Sequence, residues 1–211
     1  MMPPKLKFVD SCLVELATAC RPLRESDLTV GELTVWKDLR GDERKITWLR
    51  GRRALRKLRV RQGYGADTSG LSFPSPQYSV SHSGKLSLAA GVRDTVQGVG
   101  VDIELDRRPG TDFARFFMTD DELKYIRGLR GYTASQRVLR IWTIKEALFK
   151  ATPDNKSHVF RSFRLTDPNL KEGEAAVVSR PGLGLHYSSI SLDDGQLSVA
   201  ISRQSEHGDD R

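Results

Sequence analysis

Cysteine is nearly missing from this chain. Two stand in 211 residues, Cys12 and Cys20. They are too few for a disulfide framework and have no His or Cys at metal-ligand spacing around them, so they read as free thiols of a reducing compartment. No apolar run is long enough to cross a bilayer, and Asp10 and Glu15 interrupt the N-terminal stretch that would otherwise resemble a leader. These absences predict a cytoplasmic protein with no membrane partner. The Walker phosphate loop, the Rossmann glycine fingerprint and the H-E-x-x-H helix are absent too, which sets aside the chemistries those motifs carry. There is no G-x-S-x-G elbow for a nucleophilic serine. Aromatics are only 8% of the chain and no nucleic-acid-binding module is recognisable, so basicity alone does not select DNA or RNA.

What is present is a globular composition with a positive excess. The chain is 38% hydrophobic and 29% charged, with a net charge of +7. It can bury the core of one domain or of two small, tightly packed ones. A basic surface steers anions, among them nucleic acid, acidic proteins and phosphorylated small molecules. The excess concentrates in 40–61 (RGDERKITWLRGRRALRKLRVR), where only Asp42 and Glu43 oppose it. Ile46, Leu49, Ala54, Leu55 and Leu58 recur there at helical spacing, which predicts a helix over 42–61 with cations on its other face. Gly63-Tyr64-Gly65 stops it.

Strands are expected over 8–16, 77–80, 86–92 and 96–104, with Ser81-His82-Ser83-Gly84 as a tight connection. Thr119 and Glu122 read as a capping box opening a short helix to about 127. A longer helix is expected over 135–151, with Pro153 marking its limit. Strands over 174–179, 185–191 and 196–202 follow, the last two joined at Asp193-Asp194-Gly195. A helix with about three strands, met twice, predicts an α+β fold in a pseudo-twofold arrangement of two similar halves. The halves are 1–97 and 98–203, and a polar tail over 204–211 is expected to be disordered. No internal repeat is visible in the sequence itself.

Four stretches carry candidate chemistry. In GVGVDIE (98–104), strand alternation sends Val99, Val101 and Ile103 into a core and Gly100, Asp102 and Glu104 the other way. Carboxylates two residues apart, roughly 6–7 Å at the backbone, can converge on one hard cation, with Gly100 keeping the floor open. As an isolated D-x-E this is equally a solvent-facing edge strand. In WTIKEALFK (142–150), Trp142, Glu146 and Lys150 share one stripe beside the buried Ile141, Ile144 and Leu148, with Lys145 flanking. A Glu–Lys pair on a solvated face, worth a few tenths of a kcal/mol, reads the same way. The Ser81-His82-Ser83-Gly84 connection offers hydroxyls, an imidazole and backbone N–H groups suited to phosphate, or it is a hydrogen-bonded turn. In WLRGRRALRKLR (48–59), one or two arginines suit a phosphate-bearing ligand, and the rest suit a solvated face.

Taken in order, these stretches resemble the 4′-phosphopantetheinyl transferases of the surfactin-synthetase-activating type. SVSHSG (79–84), GVDIE (100–104) and WTIKEALFK (142–150) are similar to that family's three motifs in order and separation. WLRGRRALR resembles its W-L-x-G-R segment, and ARFFMTDDE (114–122) its R-F-F-x-x-x-E stretch. The resemblance spans about residues 43 to 151. LSFPSP (71–76) stands where the family often has G-x-P, and the first forty residues match none of its motifs.

The resemblance implies two similar α/β halves with the active site in the cleft between them, binding coenzyme A and Mg²⁺. It implies Asp102, Glu104 and Glu146 as metal ligands. His82 and Ser81, with Arg52 and Arg56, would serve the anionic 3′-phosphate end, and Lys150 the pyrophosphate, supported by Lys145. The implied reaction moves the phosphopantetheine arm onto a serine of an acyl or peptidyl carrier protein and releases 3′,5′-ADP, with Glu146 and Lys150 catalytic. Carrier proteins of this kind are typically acidic, and Lys124, Arg127, Arg130, Arg137 and Arg140 lie in the segment expected to meet one. A monomer is expected, because both halves lie in one chain. A nucleic-acid binder using the basic helix, a partner-binding pseudo-enzyme and a metal-dependent phosphohydrolase are the competing readings.

Overall fold

The computed structural model describes residues 5–7 and 12–204. Along the chain run β1 (Lys5–Lys7), β2 (Leu13–Ala19), α1 (Val30–Asp38), α2 (Asp42–Arg61), β3 (Tyr78–Ser83), β4 (Leu86–Val92) and β5 (Gly98–Leu105). They are followed by α3 (Asp120–Lys124), α4 (Gly131–Ala151), β6 (Phe163–Leu165), β7 (Glu172–Val177), β8 (Leu183–Leu192) and β9 (Gly195–Gln204). The fold is α+β with two antiparallel sheets, ordered β1-β2-β4-β3 and β5-β9-β8-β7-β6. Among the described residues no helix is long and apolar enough to cross a membrane.

Side-chain parity explains the layering. On β2 and β4, Val14, Leu16, Leu88, Ala90 and Val92 face one way, and on β5 and β9 so do Val99, Val101, Ile103, Leu197, Val199 and Ile201. Together they form one buried cluster between the two sheets. The opposite face of the first sheet holds Ala17, Ala19 and Ala89, small enough for α2 to lie on them through Ala54, Leu55 and Leu58. On the outer face of the second sheet, α4 packs through Val138, Ile141, Ile144 and Leu148. Each sheet therefore carries one long helix on its outer side.

Several expectations shift. The strand expected over 8–16 falls partly on residues outside the described ones, and the described strand is Leu13–Ala19. Most of the expected tail also lies outside them, while Gln204 still belongs to β9. The strand β3 continues through Ser83, so Ser81-His82-Ser83 is strand and the turn is Gly84-Lys85, with Gly84 at φ +52°. Three elements escaped the sequence reading, the first of them the short strand β1. The helix α1 opens on a Thr29–Glu32 capping box, and β6 is a three-residue edge strand.

The cationic face of α2 is also not merely solvated. Arg50 donates to the Gly84 carbonyl (3.1 Å), Arg53 to Pro22 (3.0 Å), Lys57 to Thr18 (3.0 Å) and Arg61 to Leu16 (2.7 Å). The basic residues close loops and strand ends onto their own helix.

Gly100 does a different job from the one expected. A Cβ on it would collide with the Ala147 carbonyl, so the glycine lets the α4 backbone lie directly on β5. Gly100→Ala is therefore expected to cost roughly 2–3 kcal/mol by overpacking. Urea unfolding checks this, and a loss below about 0.5 kcal/mol contradicts the close contact.

Candidate active site

The strand β5 and the helix α4 diverge from a point of backbone contact. Ala151 and Ala147 press on Gly98 and Gly100. Further along the strand, the same face carries Asp102 and Glu104, which meet the next stripe of α4. Lys150 Nζ donates to Asp102 Oδ1 at 2.8 Å and stands 3.8 Å from Glu146 Oε2. Trp142 Nε1 donates to Glu104 Oε1 at 3.2 Å. The i, i+4, i+8 stripe of the helix thus faces the carboxylate side of the strand.

The strand β3 closes the other side of β5. Its alternate serines point at the β5 edge: Ser79 Oγ accepts from Val101 N (3.0 Å), Ser81 Oγ from Ile103 N (3.3 Å) and Ser83 Oγ from Leu105 N (2.8 Å). Ser81 Oγ also donates to Asp102 Oδ1 at 2.7 Å. The residues between the serines, Val80 and His82, point toward α2. There Gly51 makes room for the imidazole, because a Cβ would come within 2.9 Å of His82 Cε1.

A cavity of about 430 Å³ opens in this corner. One wall is α2 through Trp48, Gly51 and Arg52, and another is β3 through Ser79, Val80 and His82. Phe73-Pro74-Ser75 forms the rim, Asn155 also lines the cavity, and Lys150 lines the side that reaches Asp102. Arg52 stacks on Trp48 with its guanidinium carbon 4.7 Å from the ring centre, and donates to the Thr68 carbonyl at 2.7 Å. Among the described residues no carboxylate is hydrogen-bonded to it, and it lines the cavity.

Of the six residues expected at the ligand, Arg52, His82 and Lys150 line this cavity and three do not. Arg56 is ion-paired with the buried Glu32 of α1 and donates to the Asp27 carbonyl at 2.6 Å. Ser81 spends its hydroxyl on Asp102 and the β5 amide. Lys145 is fully buried and donates to Glu122 Oε2 at 2.6 Å, on the side of α4 away from the cavity. Five helical residues turn the chain about 140° beyond a full revolution, so Lys145 and Lys150 cannot share a face. The sequence also carried signals that went unread: the S-x-S-x-S alternation of 79–83, and Trp48 one turn before Arg52.

Arg107 is an unexpected participant. It donates to Glu104 Oε1 at 2.5 Å, with its guanidinium carbon 5.1 Å from the Phe113 ring centre and 5.5 Å from that of Trp142. The three expected metal ligands are correspondingly not closed on a common point. Among the described residues no group of three or more His, Cys, Asp or Glu is gathered so as to hold a metal ion. Lys150 and Arg107 supply the positive charge instead. The donor chemistry nevertheless fits a hard cation. Asp102 Oδ2 is buried without a hydrogen-bond partner among the described residues. Burial holds the Glu146 carboxyl above the ordinary glutamate range, Lys150 opposes this, and the charges of Asp102 and Glu104 add to it. The corner carries more negative charge than its lysine neutralises.

Residues 98–202 match the model of the 4′-phosphopantetheinyl transferase superfamily. No curated protein matches the chain.

His82 yields a pH prediction. It keeps a solvent-exposed surface, yet the walls crowding its ring, followed by the Lys150 and Arg50 cations, push its pKa down to about 4. Nδ1 lies 2.7 Å from Ser87 Oγ. In the unfolded chain the imidazole takes its proton near pH 6.5. The stability it contributes is thus present above that value and lost as pH falls toward the folded pKa, less whatever solvent contact relieves. Wild-type protein should lose more stability between pH 7 and pH 5 than His82→Asn does. Equal losses in urea melts at the two pH values would contradict the assignment.

Proposed function

We propose that this chain, whose residues 98–202 form a 4′-phosphopantetheinyl transferase superfamily domain, is a transferase of the surfactin-synthetase-activating type. It would move the phosphopantetheine arm of coenzyme A onto a serine of an acidic acyl or peptidyl carrier protein. The observation that carries this reading is Lys150. It stands between Asp102 and Glu146 while also lining the cavity that holds Arg52 and His82. A ligand with a phosphate at one end and a pyrophosphate further along matches that sequence of charges.

Arg52 and the neutral His82 bind the terminal phosphate. The aromatic faces of Trp48 and Phe73 and the Pro74 ring supply apolar wall beside it. Lys150 meets the pyrophosphate, neutralising charge that grows on the leaving group. The carrier serine oxygen forms a bond to the β-phosphorus, the bond from that phosphorus to the bridging oxygen breaks, and 3′,5′-ADP leaves. Glu146 receives the serine proton, consistent with a carboxyl made more basic by burial and neighbouring charge. A divalent ion such as Mg²⁺, held by Asp102, Glu104 and Glu146, would add charge neutralisation at the pyrophosphate.

Carrier docking falls to the stretch around α3. Arg127 and Arg130 are exposed along a groove of about 340 Å³ that Arg115 also lines, beside Phe116, which is 78% exposed. Arg137 and Arg140 are instead held by Asn169 and the Pro168 carbonyl, so they contribute less than the sequence suggested. A nucleic-acid reading is weakened because the basic helix spends its cations on the chain's own carbonyls.

Incubation with coenzyme A, Mg²⁺ and a set of apo carrier proteins, read by intact mass, should show one phosphopantetheine added per carrier. No gain on any carrier overturns the reading. Asp102→Ala and Glu146→Ala should each lower the rate at least about a hundredfold, as removal of transition-state charge stabilisation does. A near-normal rate in either removes that residue from the site. Charge reversal at Arg127 and Arg130 should raise KM for the carrier more than for coenzyme A, and equal effects would dismiss the docking surface.

A further inference from the structure

Lys145 is the one ammonium of the described residues that α4 drives fully into the core. Its three donors are satisfied by Glu122 Oε2 at 2.6 Å, the Phe163 carbonyl at 2.8 Å and the Phe117 carbonyl at 2.9 Å, with the Phe160 carbonyl at 3.4 Å. These partners come from three separate stretches: the turn ahead of α3, α3 itself and the chain entering β6. Glu122 in turn takes the Thr119 amide at 2.8 Å and the Leu165 amide at 3.1 Å. A buried pair of this kind is weak evidence for added stability, since apolar residues of similar size often serve as well. An apolar side chain, however, cannot gather three carbonyls at fixed distances. The ammonium specifies where those segments lie.

Their location matters because of Trp142, which is one turn before Lys145 on the same helix. The Phe117 and Phe160 rings each lie 5.1 Å from the Trp142 ring, edge-on, and both belong to residues whose carbonyls Lys145 holds. Phe113 adds a third ring at 5.0 Å. The indole is thus held on several sides, and its Nε1–H is aimed at Glu104 Oε1.

We infer that Lys145 is a positioning residue for the Glu104 carboxylate, acting through the backbone of Phe117 and Phe160 and the ring of Trp142. This rests on the proposed role of Glu104 for its effect on turnover, but not for its effect on the indole. The sequence motif places Lys145 beside Glu146 and invites a ligand contact. The structure gives it a different task, holding the packing that aims a site residue from the far side of the helix.

The test is the double variant Lys145→Met with Glu122→Gln, which leaves no buried charge unpaired. Its folding is checked by circular dichroism and a cooperative melt. The primary readout is the Trp142 indole N–H in NMR, assigned with Trp142→Phe. In the double variant its protection from hydrogen exchange should fall at least tenfold, while the indoles of Trp36 and Trp48 keep theirs. In the transfer assay, kcat should fall about tenfold with KM for coenzyme A within twofold, because the cavity walls at Trp48, Arg52 and His82 stand on other elements. An unchanged Trp142 indole, or equal changes at all three indoles, overturns the inference. Should wild-type protein transfer nothing, the functional reading fails while the indole measurement still decides this one. Should the double variant not fold, Phe160→Leu decides: an unaltered Trp142 indole there overturns the inference equally.

Discussion

The arrangement depends on how one strand edge is satisfied. The strand β5 ends the second sheet and β3 ends the first, and two such edges with free amides are a liability. Here the amides of Val101, Ile103 and Leu105 are taken by the hydroxyls of Ser79, Ser81 and Ser83. The constant offset in these pairs means that the strands run parallel, joined by side chains rather than by a backbone ladder. Everything at the site follows from that register. The serines face β5, so His82 must face α2; the β5 amides face β3, and Asp102 stays within reach of both Ser81 and Lys150. A slip of one residue would send His82 to the seam and a serine into the cavity.

Charge completes what the seam begins. The corner gathers Asp102, Glu104 and Glu146 with Lys150 and Arg107, and the cations come from different elements than most of the anions. Elsewhere the positive excess is used locally. Arginines and lysines of α2 cap carbonyls at chain ends, and Arg56 is consumed by Glu32. What is left facing the cavity is a small selection: Arg52, Lys150 and a neutral imidazole. A high net charge is therefore a poor guide to the ligand, and the few cations that line the cavity are a better one.

Much of the architecture was legible beforehand. The helix over 42–61 coincides with α2, and the strand alternation of GVGVDIE puts Val99, Val101 and Ile103 into the core. Both rest on long, clear periodicity. The SHSG stretch was misread as a connection because Ser and Gly are turn residues. Its strand conformation depends on hydroxyl acceptors meeting a distant edge, which no local pattern reveals. Gly100 was assigned to an open floor, whereas the helix backbone occupies that space. The helix α1 passed unnoticed although its T-x-x-E cap is local, because its apolar face is thin and its one fully buried side chain is a glutamate, Glu32.

The sequence by itself determined the faces: which residues alternate along β5 and which share a stripe on α4. Those follow from fixed helix and strand periods, which need no knowledge of neighbours. Only the tertiary structure decided which charges meet. Asp102 lies 48 residues from Lys150 and Glu122 lies 23 from Lys145 along the chain, and their pairing depends on where sheets and helices come to rest. Electrostatic partnership falls off with distance in space, and spatial neighbours are chosen by packing rather than by spacing along the chain.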